Sequence, residues 1–313
     1  MLSFTLRRLG AGAVLLVVIS ALAYVLMFAS GTNIARNILG ETATEDQVAL
    51  KQQQLGLDQP LWQRYLGWAG SALTGSLGRS WFGSEPVAQT IATRLPVTLT
   101  LVLTAIVLTA IIALALGVLA ATKRGWVDKL LQVSVVVGDA IPGFVLAIIL
   151  AFVFAIQLKL VPAVSTITPN APASAWLLSL TLPVLAIVIN AVTSSAQQIR
   201  SAVIRQYERD SIRTLRSRGL GEGEILFKHV LRGASPAGLT VLSLQFIGML
   251  GGAVIIEKLF AIPGIGNLAV TATQLGDVPV VMGVVLYTVV IVVIVNLLVD
   301  LLNGWLNPKV RVA

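Results

Sequence analysis

Two aspartates follow glycine in strongly apolar surroundings, Gly138-Asp139 in VVVGDAIPGFVLA and Gly276-Asp277 in QLGDVPVV. Paired carboxylates on neighbouring spans are the equipment of an intramembrane aspartyl protease, in which two acids share the work of activating water. That chemistry needs both acids at one depth. The further glycine of such a motif is missing at both places, and the topology derived below puts Asp277 in an outer loop, beyond reach of an acid in mid-span.

The remaining inventory excludes more chemistry than it supplies. Cysteine is absent, which removes disulfides, Cys-ligated zinc, iron–sulfur clusters and thiol nucleophiles and leaves the redox compartment open. The single histidine, His229, cannot form a multi-His metal site within the chain. No G-x-x-x-x-G-K-[ST] phosphate loop occurs, nor any Gly-Lys pair, so nucleotide chemistry would have to reside in other subunits.

The elements around these residues are set by hydropathy. A mean hydropathy of +0.89, with 56% hydrophobic and 12% charged residues over 313 positions, identifies a polytopic membrane protein. The net charge of +8 calls for no nucleic acid, because basic residues collect in the cytoplasmic loops of membrane chains. A bilayer core about 30 Å thick takes roughly 20 helical residues. Six runs reach that length, near 9 to 29, 96 to 121, 131 to 157, 176 to 197, 237 to 257 and 280 to 302. The first follows Arg7-Arg8 but is too long for a signal peptide and ends in no small-x-small site, so it is read as a retained span. Pro142 and Gly143 predict a kink in the third.

Six spans put both termini on one side. The segments there carry Arg7, Arg8, Lys123, Arg124, Lys129, the eight cations from Arg200 to Arg232, Lys309 and Arg311, fifteen of the 22, which makes that side cytoplasmic. On the opposite side, Thr44 and Gln47 predict a capping box that opens a helix through Gln54, with Gly56 ending it. Trp62, Tyr65 and Trp68 follow at helical spacing and suit interfacial anchoring better than ligand binding. The chain therefore divides into a tail and first span (1–30), an extracytoplasmic helical cap (31–95) and a five-helix core (96–313) with a cytoplasmic loop at about 198–235.

That loop is the most polar stretch between two spans. Arg205, Arg209, Arg213 and Arg216 fall at spacings of four and three, a basic helical face that anionic head groups alone would explain. Gly219 then breaks the helix, Gly221 and Gly223 bracket Glu222, and a second short helix resumes at Glu224. Leu220, Ile225, Leu226, Phe227, Val230 and Leu231 give this second part an apolar face suited to a protein groove. Asp139, inside a span, is costly unless paired or wet, and two roles stay open: contact with a substrate amine along a pathway, or pairing near the kink or with another subunit.

The loop resembles the cytoplasmic coupling loop of ABC importer permeases. In the dipeptide, oligopeptide and nickel branch it usually starts Arg-Thr-Ala and continues through Gly-Leu to His and Arg. Arg213, Thr214, Gly219, Leu220, His229 and Arg232 keep that frame here, with Leu215 in place of the alanine. GGAVIIEKLFAIPGIGNLAV is similar to a second family segment, with Gly251, Gly252, Glu257, Phe260, Pro263, Gly264 and Gly266 in the family's order at the outer end of the fifth span. Physically, Gly251 and Gly252 permit close helix contact, while Pro263, Gly264 and Gly266 forbid a continuing helix. Glu257 sits at the turn, either capping or pairing locally or touching substrate. GLDQPLWQRYLGW, LTGSLGRS and NLLVDLLNGWLNPKVR extend the resemblance over nearly the whole chain, with Ser76 where the family often has Asp.

The resemblance implies an all-α, type I importer permease of six transmembrane helices in a bacterial inner membrane. It implies a transport subunit, not an enzyme, forming half of a pathway for short peptides. Implied partners are a second homologous permease, two ATP-binding cassette subunits that bind the ATP and magnesium, and an extracytoplasmic substrate-binding protein. The residues it assigns to coupling are Arg213, Gly219, Leu220, Glu222, Glu224, Ile225, Phe227, Lys228, His229 and Arg232. Uptake of nickel or another small solute is the alternative within the family. A secondary transporter or channel without ATPase partners is the alternative outside it, and such a protein has no use for a large polar docking loop.

Overall fold

Apolar chain in a bilayer must satisfy its backbone groups internally, and helix does so within one segment. The computed structural model describes residues 2–29, 33–83, 85–123, 125–168 and 171–306; the side chain of Asp139, and Lys309 and Arg311 near the C-terminus, lie outside the described residues. In chain order the helices are α1 (Leu2–Ala29), α2 (Ile34–Leu39), α3 (Glu45–Gln54), α4 (Leu61–Leu73), α5 (Val87–Thr122), α6 (Trp126–Ala140), α7 (Gly143–Leu150), α8 (Ala173–Tyr207), α9 (Asp210–Ser217), α10 (Glu222–Glu224), α11 (Leu231–Leu259), α12 (Ile265–Leu275) and α13 (Val278–Leu306). More widely wound turns extend α7 over Ala151–Gln157 and join α10 to α11 over Ile225–Val230.

Among the described residues, five helices are long and apolar enough to cross a membrane: Thr5–Ala29, Val87–Thr122, Ala173–Tyr207, the continuous Glu222–Leu259 and Val278–Trp305. The third expected span is a bent pair, Trp126–Gly138 and Gly143–Gln157, turned by 95°. Proline is the cause. Ile141 is extended at φ −99°, ψ 112°, as a residue before proline prefers, and Pro142 offers no N–H to continue the ladder. The Asn190 amide of α8 donates to the carbonyls of Gly138 and Ile141, both at 3.2 Å, and satisfies groups that the break frees.

The chain groups into two compact units. One comprises Leu2–Thr98 and Pro263–Ile294, the other Leu99–Ile262 and the residues from Val295 onward. In the first, the expected capping box forms: Thr44 Oγ1 accepts from Gln47 N, and Gln47 Oε1 accepts from Thr44 N. α4 lies against α1. The Tyr65 hydroxyl meets Ser20 Oγ at 2.8 Å, its ring stands edge-on to Tyr24, and Arg64 stacks over Phe28 at 4.0 Å. The aromatic stripe expected at the membrane interface is thus divided, with Tyr65 and Trp68 packed on the core and Trp62 exposed. Asp277, just after α12, is buried and receives hydrogen bonds from the Ser80 hydroxyl and from Trp81 N. Both its oxygens are engaged in a structural clamp.

In the second unit α8 is the central post, with α6, α7 and α11 against it. Gly117 and Gly138 make the approach close, since a Cβ at either would fall 2.8 Å from Ala196 O or Thr193 Oγ1 of α8. Asp128 of α6 and Arg200 of α8 form a two-pronged ion pair, Nη2 to Oδ2 at 2.6 Å, with side chains 15% and 17% exposed.

Candidate coupling site and outer loop

The basic helix expected through Arg205, Arg209, Arg213 and Arg216 is interrupted. α8 ends at Tyr207, Arg209 is extended at φ −70°, ψ 143°, and α9 begins at Asp210. Arg205 therefore lies on one helix and Arg213 and Arg216 on another. Burial explains the break: Ile212 of α9 enters a core with Ile199, Val203, Ile225 and Val230. Asp210 in the first turn of α9 complements the helix dipole and pairs with Arg213 at 3.3 Å.

α9 ends as its sequence predicts, at Gly219. Its φ of +83° is left-handed, Gly219 N donates to Arg216 O, and Leu220 N donates to Leu215 O, the two bonds that close a Schellman turn. Leu215 and Leu220 supply the apolar contact of that motif against the same core. Across the turn Arg216 grips Glu222 with two bonds, and its guanidinium lies 5.6 Å from the Tyr207 ring. Glu224 holds Lys228 at 2.8 Å.

From Glu222 the chain runs without interruption to Leu259, 38 residues or about 57 Å at 1.5 Å rise, nearly twice a bilayer core. Its polar first part, 222 to 236, precedes the apolar span and lies outside it. There the Arg216 hydrogen bond, reinforced by its charge, holds the Glu222 carboxyl below the usual glutamate value, and Lys228 does the same for Glu224. Arg213, Gly219, Glu222, Glu224, Phe227, Lys228, His229 and Arg232 are all exposed and come together at this end. Leu220 is half-buried, and Ile225, expected to face a partner, is fully buried in its own chain. Phe227, 71% exposed, is the apolar side chain this surface presents. It lines a recess of about 860 Å³ with Arg209, His229 and Arg232, and a second recess, of about 570 Å³, is lined by Tyr207, Arg213 and Glu222.

The second motif lies toward the other end of the same helix. Residues 229 and 257 are separated by about 40 Å of helix at 1.5 Å per residue. The close contact expected at Gly251 and Gly252 is absent within the described residues, because a Cβ at either meets nothing within 4 Å. Glu257 is fully buried, and its carbonyl accepts from Ile262 N at 2.8 Å to close the turn. Phe260 is buried, and its carbonyl accepts from Ser165 N at 2.8 Å. Pro263 and Gly264 stop the helix and Gly264 caps α12, whose first amide, Ile265 N, is taken by Thr98 Oγ1. Gly266 is buried in its first turn. Asp139 lies next to the break in the third span, one turn before α7.

Asn190, Gln245 and the Asp128–Arg200 pair are not among the site residues expected from the sequence. Lone amides inside apolar runs were the available signal for the first two.

Residues 113–312 match the family described as "Binding-protein-dependent transport system inner membrane component", and residues 1–102 match its N-terminal family. The chain belongs to this family. The permease is 34% identical over 312 residues to a peptide transport system permease protein of Brucella abortus (strain 2308), covering 99% of both chains. It is 33% identical over 312 residues to a glutathione transport system permease protein of Escherichia coli (strain K12), again covering 99% of both. Among solved structures, an inward-facing form of the MetNI methionine ABC transporter matches with a TM-score of 0.58 and 17% identity, over 72% of this chain and 99% of that one. At that identity the match establishes the fold, that of an ABC importer permease. The chain is a membrane-embedded transport component with an all-helical importer fold.

Proposed function

We propose that this permease forms half of the translocation pathway of an ATP-driven importer of short peptides, with both termini cytoplasmic. The observation that carries the reading is the surface built by Gly219, Glu222, Phe227, His229 and Arg232 at one end of a helix that continues unbroken to the outer motif. The chain has no phosphate-binding loop of its own, so ATP and magnesium belong to separate ATPase subunits docked on that surface. Closure of the ATPases would displace the dock, and α11 would carry the displacement as a rod toward Glu257 and Phe260. Such a two-state element works because the partner's contacts differ between the states.

A second homologous permease would complete the pathway, and an extracytoplasmic binding protein would deliver substrate to the side of the cap. Peptides are favoured over nickel or other solutes because the relatives named for peptide and glutathione transport match over 99% of this chain. The test is company. The tagged chain, purified in mild detergent, is expected to bring ATP-binding subunits and vanadate-sensitive ATPase activity with it. Recovery of the chain alone under conditions that preserve complexes would move the secondary-transporter reading to the front.

A further inference from the structure

We propose that a recess walled by α7, α8 and α11 at mid-membrane is a substrate subsite, in which the side-chain oxygens of Asn190 and Gln245 accept hydrogen bonds from the N–H groups of a passing peptide. The inference rests on the importer reading and names a place within the pathway where the cargo is held.

The recess has a volume of about 240 Å³, and its lining includes Phe144, Asn190, Gln245, Gly248, Gly252 and Ile255. Asn190 and Gln245 lie within the apolar runs of α8 (Ala173–Tyr207) and α11 (Leu231–Leu259), where a polar side chain is hard to accommodate. The partners of Asn190 fix the orientation of its amide. Asn190 Nδ2 donates to the carbonyls of Gly138 and Ile141, groups that can only accept. Gln245 Nε2 donates to Ser194 Oγ at 2.8 Å, and Ser194 Oγ donates to Ala191 O at 3.3 Å. Each amide therefore uses its nitrogen for the scaffold and keeps its oxygen for something else. Among the described residues neither Asn190 Oδ1 nor Gln245 Oε1 receives a hydrogen bond, and both residues are only half-buried.

Two acceptors in a recess whose other lining residues are apolar or glycine suit a ligand that brings N–H donors. Backbone N–H groups and an N-terminal ammonium are donors that every short peptide has, whatever its side chains, and Phe144 and Ile255 offer apolar contact for those side chains. Gly248 and Gly252, one turn apart on α11, leave the room: a Cβ at either position meets nothing within 4 Å.

The absence of cysteine allows a clean test. The importer, purified with its partners and reconstituted in liposomes, carries Ile255→Cys or, on another wall, Phe144→Cys. Modification by a methanethiosulfonate reagent is read on this chain by mass spectrometry, with and without binding protein, ATP and either trialanine or S-methylglutathione. Peptide during turnover should slow labelling of both variants at least about threefold, leave Leu244→Cys on α11 unchanged, and lose its protective effect when Gln245→Leu is added. Equal labelling with and without peptide would overturn the subsite. So would labelling that is absent from the assembled importer in every nucleotide state, which would mean that the second permease fills the recess. ATP-driven uptake is measured on the same vesicles. If neither peptide is taken up, the importer reading itself fails and the subsite with it; if uptake proceeds without protection, the subsite alone is lost.

Discussion

Arg216 grips Glu222 across the Gly219 turn, Nε to Oε1 at 2.6 Å and Nη2 to Oε2 at 3.2 Å. The pair fastens the end of α9 to the start of the long helix that enters the membrane, so the shape of the proposed dock depends on the charge of one exposed carboxylate. Because the folded-state pKa of Glu222 is depressed by Arg216, the stability it contributes is present above the ordinary glutamate value of about 4.3 and is lost as pH falls through the lower folded value. Exchange protection of the amides at 219 to 223, corrected for intrinsic rate, should persist below pH 4.3 and then fall. Glu222→Gln should lower that protection at neutral pH and flatten its pH dependence. Equal protection in the two proteins would show that the pair does not hold the turn.

Gly219 is required for its backbone angle, not for space. Nothing lies within 4 Å of a Cβ built there, but its φ of +83° costs an ordinary residue about 1–2 kcal/mol. Gly219→Asn, which tolerates left-handed backbone, should keep most ATP-dependent uptake. Gly219→Val should lose most of it while ATPase activity falls less. Equal uptake by the two variants would show that the turn does not matter to coupling.

The Asp128–Arg200 pair is buried enough for its halves to need each other. Breaking a buried pair from one side typically costs about 3–5 kcal/mol, whereas replacing both partners with apolar residues is often close to neutral. Asp128→Leu and Arg200→Met should each lower the temperature at which the detergent-solubilised protein aggregates, and the double variant should recover most of the loss. Additive losses would deny the pairing.

Asp277 clamps the loop after α4 through the Ser80 hydroxyl and Trp81 N. Charge-assisted hydrogen bonds of this kind contribute about 1.5–3 kcal/mol each. Asp277→Asn and Ser80→Ala should both speed proteolytic cleavage near Trp81–Gly83 in right-side-out vesicles, Asp277→Asn the more. Unchanged cleavage in both would show that the clamp is not what orders this loop.

Much of this molecule was legible in its sequence, and the exceptions have physical causes. Long apolar runs gave the spans, Pro142 marked the break in the third, and Thr44 with Gln47 marked the start of α3. Gly219 marked a turn because only a left-handed angle calls for glycine there. The break after Tyr207 was not legible, since neither glycine nor proline stands at Glu208-Arg209 and the deciding event is burial of Ile212. Nor was the inward turn of Ile225. An amphipathic pattern reports that a face is apolar without saying whether the chain itself or a partner covers it. The Ser80–Asp277 contact joins residues 197 apart in sequence, and no local pattern announces such a pairing.

On the proposed function, ATP drives peptide uptake by a complex containing this permease through the surface around Phe227. The direct measurement is uptake of labelled trialanine into proteoliposomes holding the purified complex, with ATP on the side of the coupling surface and binding protein on the other. Uptake should need both, be abolished by vanadate, and fall at least about tenfold with Phe227→Asp. Uptake that proceeds without ATP, driven by an ion gradient alone and indifferent to Phe227→Asp, would contradict the proposed function.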